Sequence, residues 1–533
     1  MINQLQSFHF IKRSFFSGLN TSQYFLDKPI ITFMALFSFF IGLSQSTQDT
    51  IPVREGKELK GILLDIDKNT ALSYANIVFL HKNTGTITNE QGQYLLDITK
   101  LNKNDTISFQ YIGYETKNLT IQQLDSSSVV YLKENTNSLN EIFVFSKNLN
   151  PESIVKKVLE NKDLNYKRTT IKNQTFIRRR FISDIDHIKI KFKKSSFQEL
   201  SKEKIEMVER KIPKHTVSYT DFLGNLYFSA NKTDSLRLKI DPIKMVSLKD
   251  KNLADMEQIE TIFENLLSNT KEKEYWKIKS GIVGAKVQIN ENELDKAKRD
   301  SLKRINEMQF KTKYYRNSTN YLLKYSTFSD KKEWDFLHRT SRYEYTLVGG
   351  TTVKGEDVYI IDFVPKNSGK FKGRVFITLK TYALIRADYE YDAGKMGTDI
   401  HLFGVGYSDN AFSGSISFEK IDGTYQLKYC SKKEGSKVSV DRNISLIRKK
   451  KRFLLDKKLN EIKVGFKLAV SEESSFEMLV LDHTDISLQQ FNAFKQKEYI
   501  KLIYVEQFND QLWKGYSIIE PTKQMREYKK LEE

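Results

Sequence analysis

A single cysteine, Cys430, stands in 533 residues, so no internal disulfide can form. It lies in an alternating run, where a buried small hydrophobe is expected. The histidines are few and wrongly spaced for peptidase chemistry. A zinc carboxypeptidase needs His-x-x-Glu and a distant His, which together leave one metal position open to water. None of the seven histidines has Glu three residues on. His81, His187, His215, His338, His401 and His483 are followed there by Thr84, Ile190, Ser218, Ser341, Gly404 and Ile486, and His9 precedes the first apolar run. His-Glu-x-x-His is also missing, so metallopeptidase activity is not expected. A nucleophile elbow would read Gly-x-Ser-x-Gly, but Gly414–Phe418 reads Gly-Ser-Ile-Ser-Phe. The phosphate-loop pattern is missing too. Gly404-Val405-Gly406 lacks a third glycine and a following helix, and reads as glycines easing a curved strand. Long hydrophobic runs are scarce. Beyond Ile30–Leu43, no segment is apolar enough to cross a bilayer as a helix. Outer-membrane strands leave weaker signals, so hydropathy does not dismiss a barrel.

Charge of one sign predominates. Lys and Arg number 86 against 67 Asp and Glu, a formal +19. Such a chain suits anionic surroundings, either nucleic acid or a lipid surface. A lysine-rich solvated surface accounts for the same number. The sharpest cluster is Arg448–Arg452. It could meet phosphates of lipid head groups or lipopolysaccharide, or it could be a solvated loop or strand edge that lysine protects from pairing. Near the N-terminus, Lys12, Arg13 and Lys28 precede Ile30–Leu43, and Gly42 and Ser44 are small. This pattern predicts an export signal over residues 1–45, cut near Ser44–Ser46, with an uncleaved anchor as the alternative. No cysteine follows that run, which excludes lipid attachment there. Export argues against a nucleic-acid partner.

The most informative stretch is Gly61–Tyr114. Ile62, Leu63 and Leu64 open an apolar run that Asp65–Asn69 closes. Asn76–Leu80, Tyr94–Leu96 and the alternating Ile107, Phe109 and Tyr111 follow, separated by Asn83–Gly85 and Asn89–Gly92. Short β-prone runs so punctuated predict a small antiparallel β-sandwich. Gly85, Gly92 and Gly113 stand where a turn or a close backbone approach is needed. Asp65-Ile66-Asp67-Lys68-Asn69 has the acid spacing of a calcium loop, but Thr70 holds the glycine position and Asn76 the place of the bidentate acid. A hairpin turn is expected instead. Gly61, Asp65, Ala75, Gly85–Thr86, Thr88–Asn89, Gly92, Tyr94 and Ile112–Gly113–Tyr114, in that order, resemble the carboxypeptidase-like regulatory domain over residues 57–135. That module is common in cell-envelope proteins of Bacteroidetes. The resemblance implies a sandwich that is not itself a peptidase.

Beyond it, residues 136–165 read as a connector and a helix. Asn150 can cap that helix, Pro151 fits its first position, and Ile154, Val155, Val158 and Leu159 share a face. Residues 166–525 read as an α+β domain. Strands are expected over Tyr166–Phe192. Amphipathic helices are expected over Leu253–Ser268 and Glu291–Met308, the latter as an ordinary surface helix or an exposed arm that binds a partner. From Tyr343 the pattern is a meander of long antiparallel strands, with a two-residue hairpin at Asp422–Gly423 and one packed, one polar face. Gly369–Tyr391 resembles the curved sheets of outer-membrane lipoprotein carriers, which implies a concave apolar face crossed by helices. Leu512–Lys530 resembles the end of other Bacteroidetes proteins carrying the same N-terminal module.

The fold class expected is therefore mainly β, a sandwich followed by an α+β domain with a curved antiparallel sheet. No catalytic, cofactor or metal residues are assigned. The leading expectation is a non-enzymatic exported protein of the periplasm, outer membrane or cell surface. It would bind a lipid, lipopolysaccharide or another envelope protein, possess no cofactor, and associate peripherally with a membrane. The alternatives are an exported hydrolase, with Asp357, Asp362, Asp388, Glu390 and Asp399 as candidate acids, and a structural adhesin or secretion accessory.

Overall fold

The computed structural model describes residues 57–80, 85–99, 101–124, 129–135, 149–166, 169–197, 200–230, 236–249, 273–281, 283–287, 309–453 and 455–528. The chain is mainly β. Seven short strands come first: β1 (Glu58–Asp65), β2 (Asn76–Phe79), β3 (Gly85–Ile87), β4 (Gln93–Asp97), β5 (Thr106–Gln110), β6 (Lys117–Thr120) and β7 (Val129–Leu132). They form two sheets, in the orders β4-β1-β7 and β3-β2-β5-β6. Alternate residues point inward, so Leu63, Ile77, Tyr94, Ile107 and Phe109 close one core between them. Pairing is antiparallel except for β1 with β7, which run parallel from Ile62↔Val129 to Asp65↔Leu132. Gly92 takes φ +75°, and a Cβ there would lie 2.7 Å from the Leu63 carbonyl oxygen. At Gly85 a Cβ would lie 2.2 Å from the Ile77 carbonyl oxygen, so here the requirement is close approach.

The Asp65–Asn69 stretch is a turn, as expected. The Asp65 carboxylate accepts from the backbone N–H of Asp67 and Lys68, both at 2.8 Å, and from the Tyr114 hydroxyl at 2.6 Å. Its oxygens are thus committed to closing the turn.

The helix expected after Asn150 forms as α1 (Pro151–Glu160), and the Asn150 side chain accepts from Glu152 N–H at 3.0 Å. The long strands follow: β8 (Ile171–Ser195), β9 (His215–Ala230), β10 (Leu236–Lys249), β11 (Glu274–Ser280) and β12 (Val283–Val287). Next come β13 (Gln309–Lys311), helix α2 (Thr312–Leu323), β14 (Tyr343–Val353), β15 (Glu356–Pro365), β16 (Phe371–Thr378) and β17 (Leu384–Tyr391). The chain ends with β18 (Asp399–Leu402), β19 (Val405–Ile421), β20 (Thr424–Lys450), β21 (Lys457–Asp485), β22 (Tyr499–Lys501) and β23 (Ile503–Val505). Fourteen of these strands make one sheet, whose main path is β14-β15-β16-β17-β19-β20-β21-β8-β9-β10-β23, with β11, β12 and β18 attached beside it. Asp422 and Gly423, at φ 47° and 81°, make the expected hairpin between β19 and β20. The two helices expected over Leu253–Ser268 and Glu291–Met308 lie outside the described residues.

One sheet face carries α1, α2 and the Phe328–His338 segment. Their Val155, Tyr315, Trp334 and Phe336 pack on Ile177, Phe222, Ile361, Tyr389, Cys430 and Met478. Trp334 is fully buried and stacks on Tyr325 at 5.0 Å, and its indole N–H donates to the Tyr325 carbonyl at 2.8 Å.

The opposite face departs from the expected polar surface. Ile87 and Leu95 of the sandwich pack with Phe176, Leu223, Tyr429 and Leu479 of the sheet and with Trp513, Ile518 and Ile519 of the C-terminal segment. The sandwich and that segment therefore cover the middle of this face, and the strands beneath carry apolar residues on both sides. Gly404 also departs from expectation. It sits with Phe403 in the turn joining β18 and β19, both at positive φ, and not within a strand.

Candidate functional site

The five candidate acids fall on neighbouring strands, but each has a partner. Asp362, Arg374 and Asp388 are successive partners across β15, β16 and β17. Arg374 forms a bidentate pair with Asp362, at 2.6 and 2.9 Å. Asp388 accepts from Arg386 at 2.6 Å and from the Ser415 hydroxyl at 2.6 Å. Glu390 lies 3.4 Å from Lys372, and Asp399 lies 3.2 Å from His401. Asp357 accepts from Thr352 at 3.2 Å.

This polar row is the seat of the sandwich. Arg386 is buried, its guanidinium lies 4.7 Å from the Tyr111 ring centre, and it donates to the Tyr111 hydroxyl at 3.3 Å. It also reaches the carbonyls of Ser73 and Tyr74 at 3.5 Å. Glu90 of the sandwich pairs with Lys433 of β20. Thr86 donates to the Ile518 carbonyl at 2.8 Å, and Asn89 to the Glu520 carbonyl at 3.3 Å. Tyr74 stacks on Tyr429 at 4.8 Å. Here carboxylates hold an internal joint.

Three consecutive arginines show how little the sequence run says about role. Arg178 is buried in a bidentate pair with Asp221 and donates to the Ile519 carbonyl at 3.0 Å. Alternation sends Arg179 to the helix face, where it donates to the hydroxyls of Ser318 and Thr319. Arg180 turns back to Glu473 and Gln524. Cys430 is buried beneath the helix face, and burial pushes its thiol up to about 12, far from a nucleophile's range.

The basic run Arg448–Arg452 closes the longest hairpin of the sheet, between β20 and β21. Arg448 donates to Glu274 of β11 at 2.8 Å. The Asp456 carboxylate accepts from the Tyr275 hydroxyl at 2.6 Å and from the Arg452 N–H at 3.3 Å. That hydrogen bond raises the Tyr275 phenol to about 12. At the tip, Phe453 and Leu455 are 102% and 84% exposed. Among the described residues, no group of three or more His, Cys, Asp or Glu side chains could hold a metal ion. No helix among them is long and apolar enough to cross a membrane, which says nothing of strands.

Residues 59–144 match the family model of the CarboxypepD_reg-like domain. The sandwich is a carboxypeptidase-regulatory-like domain. No curated protein matches the chain. Among solved structures, it is similar to the LolA superfamily protein NE2245 from Nitrosomonas europaea, at 8% identity over 65% of this chain and 99% of the other, TM-score 0.16. MucB in complex with MucA(peri) follows at 8% identity, 60% and 94% coverage and TM-score 0.17. The Pseudomonas aeruginosa MucA/MucB complex shows 6% identity, 63% and 99% coverage and TM-score 0.16. Scores this low carry no argument about ligand or partner. The signal that sequence reasoning missed is Trp513–Ile519, whose apolar residues glue the regulatory-like domain to the sheet.

Proposed function

We propose that the chain is a non-enzymatic, exported cell-envelope protein that docks onto an anionic envelope component. In this reading residues 1–45 are the export leader, 57–135 the regulatory-like domain, 136–165 the connector and helix, and 166–525 the sheet domain. The observation that carries it is the division of labour among charges. Asp362 and Asp388 are paired with arginines at the joint between the regulatory-like domain and the sheet, whereas the far ends of β20 and β21 present lysines. A cation near an anionic surface gains about 1 kcal/mol, so several together suffice for docking. Burial of an apolar ligand under the helix face is less favoured, because Trp334, Phe336, Tyr389 and their neighbours already fill it. Mass spectrometry of material co-purifying with the full chain from envelope extracts tests the proposal. Recovery of anionic lipid, lipopolysaccharide or an envelope protein supports it. A clean protein that turns over a panel of hydrolase substrates overturns it.

A further inference from the structure

We infer that the β20–β21 hairpin tip is a membrane-surface anchor, and that its partner is a bilayer rich in anionic phospholipid head groups. The inference rests on the docking function proposed above and names the surface that performs it. Between Arg448 and Lys458 there are seven basic side chains and one acid, Asp456, which is turned inward to Tyr275. Lys450, Lys451, Arg452, Lys457 and Lys458 are exposed, and in sequence they flank the two most exposed large apolar side chains described, Phe453 and Leu455. An exposed aromatic and an exposed aliphatic group flanked by cations match a lipid interface, where apolar atoms enter the acyl boundary and cations meet phosphates.

The strand register supplies an independent argument. Lys449 faces Lys458 and Lys450 faces Lys457 across β20 and β21. Further from the tip, Lys463 faces Lys194 and Lys467 faces Lys189 across β21 and β8. Like charges placed directly opposite destabilise a sheet. Glu461, Glu209 and Asp441 offset part of this at Lys194, Lys458, Lys189 and Lys467. An external sheet of phosphates relieves the rest. The tip itself is preorganised, because the Lys451 N–H donates to the Lys273 carbonyl at 2.8 Å and Arg448 is clamped to Glu274.

The test is co-sedimentation of the full chain with vesicles of phosphatidylethanolamine and phosphatidylglycerol, against vesicles of phosphatidylcholine. Binding is expected to the anionic vesicles only, and to weaken at least about tenfold when salt rises from about 0.05 to 0.5 M. Phe453→Ser with Leu455→Ser should weaken it at least about tenfold through lost apolar burial. Lys450→Glu with Lys451→Glu should do the same through charge. All four positions are solvent-facing, so the melting temperature should stay that of wild type. Equal binding to phosphatidylcholine, or variants that bind as wild type does, would overturn the anchor. Envelope material retained equally by wild type and the serine variant removes the anchor but leaves the docking function standing. Wild type that retains no envelope material removes both.

Discussion

Arg178→Met should be among the most damaging single changes in the chain. The guanidinium meets Asp221 at 2.9 and 2.7 Å, and the two side chains are 4% and 1% exposed. It also donates to the carbonyls of Ile519 and Glu520 at 3.0 and 3.3 Å, tying the C-terminal segment to β8. Methionine fills the volume but leaves the Asp221 carboxylate buried without its cation. Breaking a buried pair from one side costs about 3–5 kcal/mol. Arg178→Met combined with Asp221→Leu removes the stranded charge, so that part of the loss should return. What stays lost is the pair of hydrogen bonds to the C-terminal segment, about 1 kcal/mol each. The double variant is therefore expected about 2 kcal/mol below wild type and above the single variant. Urea unfolding followed by tryptophan fluorescence measures this, since Trp513 packs edge-on against Phe176 at 5.5 Å in the same region. A single variant that loses less than about 1 kcal/mol, or a double variant no better than the single, would refute the reasoning.

Four further outcomes are expected. Gly92→Ala forces a Cβ into φ +75° and against the Leu63 carbonyl, so the regulatory-like domain should lose at least about 1–2 kcal/mol in denaturant titration. Trp334→Ala opens the helix-face core and should cost about 3–5 kcal/mol by the same measurement. Cys430 should resist alkylation in the native protein and react only after unfolding, as mass shift after iodoacetamide reports, because burial keeps its thiol protonated. Hydrogen bonds from Lys194 and then Lys458 hold the Glu461 carboxyl down at about 2, below its ordinary 4.5. Its contribution is therefore present above about pH 4.5 and lost as pH falls toward 2. The melting temperatures of wild type and Glu461→Gln should differ at neutral pH and converge across that window.

The parts of the fold legible in sequence were those governed by local chemistry. The regulatory-like domain announced itself through turn residues between short β-prone runs, and α1 through Asn150 and Pro151. Asp422–Gly423 gave its hairpin because only residues tolerant of positive φ fit that turn. What stayed hidden depends on pairing across long separations. Nothing local says that β1 runs parallel to β7, or that Ile518 and Ile519 lie between Thr86 and Arg178. The expected polar face turned out to be half-covered, since alternation shows which residues share a face but not what else packs on it. The same holds for the site. Arg448–Arg452 stood out as a charge run, yet its apposed lysines on β21 appear only once the register is known. Asp362 and Asp388 looked like any strand carboxylates until their arginines and Tyr111 were placed.

Hydrogen exchange of the full chain, with and without anionic vesicles, is the most direct measurement of the central claim. New protection confined to the β20–β21 tip and the adjoining ends of β8 and β11, with the Asp362–Asp388 row and the helix face unchanged, is the result expected. Protection that appears instead around Asp362, Asp388 and Arg386 would contradict it, because those groups would then be a ligand site and not an internal joint.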